Sequence, residues 1–519
     1  MKLKLKIFSA LSAASLLLAG CTLDSSGIIP APESGNSAHP SQGVRIEGEM
    51  PAVPAGLDEY YSQELSWQSC SGTFECATIS APLNYDDPSG KKITLALLKR
   101  PARGKAIGTL FVNPGGPGGS GIDMAKSASY YFPTQVLENF DIVGFDPRGV
   151  GQSTAVDCVD DATLGRILDI SYNRTDPGWE QKAEADQVTI ATGCEAHSGD
   201  LLPYVGTISA ARDLDIMRHL VGDPQLYYVG FSYGTSLGGQ YADLFPKNVG
   251  RLILDGAVDT SLTSAKLSTD QTLGFEVAIR RYIEDCLGGL ACPFSGSTED
   301  VLSQIHALLE EALSSPFPTN NASRPLTQSL FFSGIIMPLY SSSTWPMLTQ
   351  AFTALLEKND ASLFLKYADI VSEREEDGSF SSNSTVANWA INCADYPPAD
   401  PQEVARASER LRVEAPVFGD LMTEGPDMCA SWPYQSQHSP GVYKAEGSAP
   451  IVVVGTKYDP ATPYAWAQAM NAGFENSVLV TWEGDGHTAY SHANSCIKEP
   501  LTRYLLTGEV PEDGLTCTP

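Results

Sequence analysis

The stretch Tyr227-Tyr228-Val229-Gly230-Phe231-Ser232-Tyr233-Gly234-Thr235-Ser236 leaves a short apolar run and at once sets a serine between two glycines. Tyr227, Tyr228 and Val229 read as a buried strand. Gly230 to Gly234 fit G-x-S-x-G, the pattern of a strand-to-helix turn that strains the serine backbone and pushes its Oγ outward. Five letters recur by chance, and taken alone they also fit an ordinary glycine-containing loop. The rest of the chain decides between the two.

On the N-terminal side, Lys92 to Leu98, Gly108 to Val112 and Phe140 to Phe145 read as strands, followed by a helical stretch around Ala210 to Leu220. On the C-terminal side, Arg251 to Gly256 is another strand. After about Asp259 the pattern turns helical: Leu302, Ile305, Leu308, Leu309 and Leu313 recur at helical spacing, and 345–357 and 402–412 read as helices. Ile451 to Val454 and Ser477 to Trp482 then restore buried strands. Strands alternating with helices predict an α/β fold with a mostly parallel sheet and helices on both faces. The helical segment is expected to be a cap inserted between two halves of that sheet. The expected parts are a core over 58–259, a cap or lid over 260–445 and the rest of the core over 446–519, without internal repeats.

In an open parallel sheet, residues just past the carboxyl ends of strands share one rim. The strand ending at Val454 runs into Gly455 to Pro460 and the one ending at Trp482 into Glu483 to Thr488, so Asp459 and His487 can meet Ser232. A serine hydroxyl needs a base to take its proton, and the base needs an acid to hold its tautomer and stabilise its cation. Asp255 is a rival acid at a strand end, and Asp485 and His492 lie near the expected base. The run Asn113 to Gly121, N-P-G-G-P-G-G-S-G, can bring backbone N–H groups close to a developing oxyanion, and that hole is assigned to Gly116 and Tyr233. A phosphate-binding loop would require a G-K-[ST] ending, which is missing.

Lys2, Lys4 and Lys6 precede a short apolar run from Ile7 to Leu18, which reads as a signal peptide over 1–20. Leu18-Ala19-Gly20-Cys21 resembles a lipobox, whose cysteine becomes the lipidated N-terminus; a plain secretory signal is the alternative. Residues 21–57, rich in Ser, Gly and Pro, read as a flexible tether. Without Cys21 there are ten cysteines, an even number that suggests disulfides in an oxidising compartment, although sequence leaves the connectivity open. Pairing neighbours along the chain would give five short-range bridges. There is no C-x-x-C and no histidine at ligand spacing to the cysteines, so neither metal nor cofactor is expected. The formal net charge of −29 argues against nucleic acid as a partner.

From about Trp67 onward the chain resembles the exported α/β-hydrolases of the tripeptidyl aminopeptidase and proline iminopeptidase group, including their TAP-like C-terminal domain. The resemblance rests on the glycine run at 113–121, F-D-P-R-G-V-G-Q-S at 145–153, G-F-S-Y-G at 230–234, D-P-A-T-P at 459–463 and G-D-G-H-T at 484–488. It implies an α/β-hydrolase fold and a serine hydrolase that removes residues from the free N-terminus of peptides through an acyl-enzyme, with Ser232, Asp459 and His487 as triad. Such a site must offer acceptors to the substrate ammonium, and Asp395, beside Cys393, is the candidate. A carboxylesterase with the same triad is the alternative, and a catalytically silent envelope binding protein is a third reading. The expected partners are peptides with a free N-terminus and, through lipid on Cys21, a membrane. The expected location is the bacterial cell envelope, at the outer membrane or cell surface, or the medium if the lipobox is not used.

Overall fold

The computed structural model describes residues 43–519 other than Glu424, Gln437 and Ser439, and only the backbone at Met422 and Thr423. The expected signal peptide, Cys21 and the expected tether as far as residue 42 lie outside the described residues. Ten strands form one sheet: β1 (Gln68–Ser71), β2 (Phe74–Pro82), β3 (Lys92–Arg100), β4 (Thr109–Asn113), β5 (Asp141–Phe145), β6 (Leu226–Phe231), β7 (Val249–Asp255), β8 (Ile451–Tyr458), β9 (Ser477–Asp485) and β10 (Thr516–Cys517). Their order is β1-β2-β3-β5-β4-β6-β7-β8-β9-β10. From β5 to β10 every neighbouring pair is parallel, and β1 to β3 form an antiparallel edge that joins at β5.

Successive side chains of the central strands enter different cores, as the period of two requires. Phe111, Val143, Tyr228, Leu252, Leu254 and Val453 pack into one, while Leu110, Val112, Ile142, Val229, Ile253 and Val452 pack into the other. Burying each such Val, Leu or Ile stabilises the fold by about 1.5–3 kcal/mol, which is why these strands read as unbroken apolar runs. Three strands escape the sequence reading. β1 is exposed throughout, β2 mixes Cys, Thr, Ser and Glu with its apolar residues, and β10 has only two residues.

Between β7 and β8, which are neighbours in the sheet, the chain runs through the helices from Ser264–Gly288 to Pro401–Glu414. Most of them enclose a core of their own, in which Phe364 meets Phe331 and Phe352 edge-on at 4.7 and 5.0 Å. The insertion is not a single body, because Val386, Ala387, Ala390 and Ile391 of the helix Ser384–Asp395 pack into the core of the sheet together with Trp432. Arg324 joins Asp169 at 3.0 Å and Asp369 at 2.8 Å, and Arg374 joins Asp169 at 2.9 Å, tying the insertion to the helix Asp161–Asp169.

The tether expected as far as residue 57 needs correction. Residues 43–57 lack regular secondary structure, yet Gly43 N donates to Asn139 Oδ1 at 2.9 Å, Val44 N to Leu506 O at 2.7 Å and Ile46 N to Tyr227 OH at 2.7 Å. Composition suggested a linker, but docked backbone donors hold this segment to the core. The ten cysteines form the pairs Cys70–Cys76, Cys158–Cys194, Cys286–Cys292, Cys393–Cys429 and Cys496–Cys517, each joining neighbours along the chain. The last of these holds β10 to the helix Ser495–Thr507.

Candidate active site

Ser232 follows β6 directly and opens the helix Tyr233–Leu244, with φ 56° and ψ −126°. A side chain in that region costs on the order of 1–3 kcal/mol, so the surroundings must enforce it. Both flanking glycines are needed for close approach: a Cβ at Gly230 would lie 2.3 Å from Gly234 O, and one at Gly234 would lie 2.8 Å from Asn113 O. Thr235 N and Oγ1 donate to Ser232 O at 2.8 and 2.6 Å, closing the turn.

Asp459 comes immediately after β8, and His487 lies two residues beyond β9. His487 Nδ1 is 2.9 Å from each Asp459 carboxylate oxygen. The same carboxylate accepts from Ala461 N at 2.9 Å, Thr462 N at 2.8 Å, Thr462 Oγ1 at 2.9 Å and Thr488 N at 3.1 Å. Such a saturated acceptor cannot swing away from the ring. Burial by itself lowers the pKa of His487, but the charge and hydrogen bonds of Asp459, helped by the charge of Asp255, outweigh it and leave the pKa above its ordinary value.

Among the described residues no hydrogen bond joins Ser232 Oγ to His487, but both residues meet the Asp255–Gly256 corner. Ser232 N donates to Asp255 O at 2.9 Å, and a Cβ at Gly256 would lie 3.2 Å from His487 Cε1. Nucleophile–base contacts are often loose until substrate arrives. Asp255 does not hydrogen-bond the imidazole. Its carboxylate accepts from Ala489 N at 2.9 Å and Tyr490 N at 2.8 Å, bracing the turn that carries His487, and burial pushes its pKa up to about 6. Asp485 pairs instead with Arg281, Nη2 to Oδ2 at 2.8 Å, and His492 bonds neither acid.

Gly115 and Gly116 have φ of 97° and 110°, and a Cβ at Gly115 would lie 2.8 Å from the Ser232 Cβ, so the glycine run lies directly against the serine turn. Gly116, Ser232 and Tyr233 line one cavity of about 350 Å³. Neither the Gly116 nor the Tyr233 N–H has a backbone acceptor among the described residues, and Tyr233 N opens a helix, where the dipole favours negative charge. The 145–153 motif supports this loop: Asp146 accepts from Ser120 Oγ at 2.6 Å and Gln152 N at 2.8 Å. The neighbouring Arg148, fully buried, forks onto Asp213 at 2.7 Å.

Asp395 lines the same cavity. Its carboxylate accepts from Thr207 N at 2.8 Å and Thr207 Oγ1 at 2.6 Å, and Thr207 Oγ1 in turn meets Tyr233 OH at 2.5 Å. Among the described residues no cationic side chain pairs with it, and burial pushes its pKa up to about 6. The pocket thus holds a half-buried acid with no counter-ion among the described residues, close to the serine turn.

The sequence reading missed Thr207, Thr462 and Tyr340. Thr462 had a local signal, an Asp followed three residues later by Thr, which the Asp459 carboxylate caps through both N and Oγ1. Tyr340 had none: it belongs to the inserted helical segment, its carbonyl accepts from His487 N at 2.8 Å, and its ring packs edge-on to the imidazole at 5.5 Å.

A serine on a strand-to-helix elbow, with acid and base on loops after two later strands of one parallel sheet, defines a serine hydrolase of the α/β-hydrolase class. The alpha/beta hydrolase fold family matches residues 108–335, and the TAP-like protein family matches residues 415–517. The chain is 34% identical to the serine protease Hip1 of Mycobacterium tuberculosis, over 99% of this chain and 97% of the relative. It is 35% identical to carboxylesterase B of the same organism, over 98% of each chain. It is 30% identical to the tripeptidyl aminopeptidase of Streptomyces lividans, over 90% of this chain and 88% of the relative. The chain belongs to the TAP-like α/β-hydrolase family.

Proposed function

We propose that this serine hydrolase is an aminopeptidase of tripeptidyl or prolyl type, cleaving short peptides from their free N-terminus. Ser232 attacks the carbonyl, His487 takes its proton and returns one to the leaving amine, Asp459 holds the imidazole, and the N–H groups of Gly116 and Tyr233 receive the oxyanion. Water then releases the acyl group by the same steps. The observation that carries this reading is Asp395, a half-buried carboxylate with no cationic partner among the described residues, in the pocket of Ser232, where a substrate ammonium would supply the missing charge. The relatives named tripeptidyl aminopeptidase and serine protease support it.

The relative named carboxylesterase favours a second reading, an esterase with the same triad. Matched free and N-acetylated peptide amides, assayed beside Ser232→Ala, separate the two. Turnover of free-amine substrates alone, lost in the variant, is the expected result. Turnover indifferent to acetylation, or confined to added esters, would favour the esterase.

We further propose that the protein is exported and held to the cell envelope by lipid on Cys21, consistent with five disulfide pairs in the rest of the chain. Cells fed labelled fatty acid are expected to label the wild type and not Cys21→Ala. An exported but unlabelled wild type would mean a plain secretory signal.

A further inference from the structure

The cavity that holds Ser232 and Asp395 shares Ser264 and Ser268 with a second, larger cavity of about 770 Å³. The helix Ser384–Asp395 forms a wall of both. Asn388, Asn392 and Asp395, at helical spacing, line the cavity of the serine, whereas Thr385 and Trp389 line the other. Small hydroxyl side chains at the N-terminal end of the helix Ser264–Gly288 therefore border both cavities.

The two cavities differ in size and lining. At about 350 Å³ the first lies near the lower end of the roughly 300–1,000 Å³ range of small-molecule pockets, so it accepts only a short segment. The second carries large apolar surfaces at Tyr172, Trp179, Phe332, Trp389 and Leu421. Its carboxylates are engaged within the protein: Asp186 is held by Arg166 and Tyr172, and Asp427 accepts from Ala399 N at 2.7 Å and Cys429 N at 2.9 Å. Flat aromatic faces beside carboxylates already engaged within the protein suit peptide side chains of varied sequence better than one charged ligand.

We propose that the second cavity receives the part of a peptide substrate that lies on the C-terminal side of the cleaved bond. The inference rests on the aminopeptidase reading. With the ammonium at Asp395 and the reacting carbonyl at Ser232, the short N-terminal segment fills the first cavity, and the remaining chain leaves across Ser264 and Ser268 into the space lined by Trp389 and Trp179. The enzyme would then favour extended peptides over dipeptides or simple amides, because binding energy is gained on the leaving-group side.

The test uses free-amine peptides that share one N-terminal sequence and lengthen at the C-terminus, with N-acetylated partners, assayed on the wild type, Trp389→Ala and Trp179→Ala. In the wild type KM is expected to fall about tenfold from the shortest to the longest peptide, the scale of one buried aromatic contact. Each variant is expected to lose most of that fall. Because long and short peptides are compared within one preparation, a partly misfolded variant does not distort the ratio. A wild-type KM indifferent to length, or variants that keep the full fall, would overturn the inference even if a free amine is still required. If acetylated peptides are cleaved equally well and show the same fall, the second cavity keeps its role and the amine-anchoring reading fails.

Discussion

Ser232→Ala is expected to lower kcat by about six orders of magnitude and Asp459→Asn by about four, with folding little changed in either. Removing the hydroxyl leaves only the oxyanion donors and substrate binding. Changing the acid keeps the shape of the site but loses the charge that holds His487 in its working tautomer, and the two differ because the imidazole can still act weakly without its acid. Asp255→Asn serves as the contrasting variant. Its carboxylate holds the Ala489 and Tyr490 N–H groups and not the imidazole, so its loss should appear as about 1–3 kcal/mol of stability and less than about a tenfold change in kcat.

The pH profile gives an independent measure. His487 acts as a base only when neutral, so activity is present above its pKa and lost as pH falls through it. Because Asp459 and Asp255 raise that pKa above the ordinary 6.5, the acid limb of kcat/KM should have its midpoint above 6.5 in the wild type and at a lower pH in Asp459→Asn. An Asp255→Asn variant as crippled as Asp459→Asn, or an acid limb that does not move, would reassign the acid.

The second large effect is selective. Asp395→Asn should lower kcat/KM for free-amine peptides by about a hundred- to a thousandfold, the cost of leaving a bound ammonium without its carboxylate partner. Asn can still accept from Thr207 N and donate to Thr207 Oγ1, so the pocket should keep its form. Simple acyl esters, which carry no ammonium, should change by less than about threefold. Equal losses on peptides and esters would mean that Asp395 supports the pocket through Thr207 and does not bind the amine.

The sequence carries the catalytic elements unevenly. The turn at Ser232 is legible because the backbone conformation it needs leaves a local mark, glycines at 230 and 234 whose missing Cβ atoms allow the turn to form against β4. Asp459 and His487 are legible because each follows a strand whose apolar run is unmistakable. Asp255 also ends a strand and stands as the rival acid, although the sequence reading favours Asp459. The docking of residues 43–57 was hidden because its donors are backbone N–H groups, which carry no residue identity.

By itself, then, the sequence determined the alternation of strands and helices, the serine elbow and the order of nucleophile, acid and base, since all of these are written in local spacing and period. Tertiary structure decided which of two acids holds His487, that Tyr340 from the inserted helices packs on the imidazole, that Asp395 shares the pocket of Ser232, and that a second cavity opens beside it. Each of these is a contact between segments tens to hundreds of residues apart. Such contacts depend on how helices and loops pack around the rim of the sheet, which no local pattern encodes.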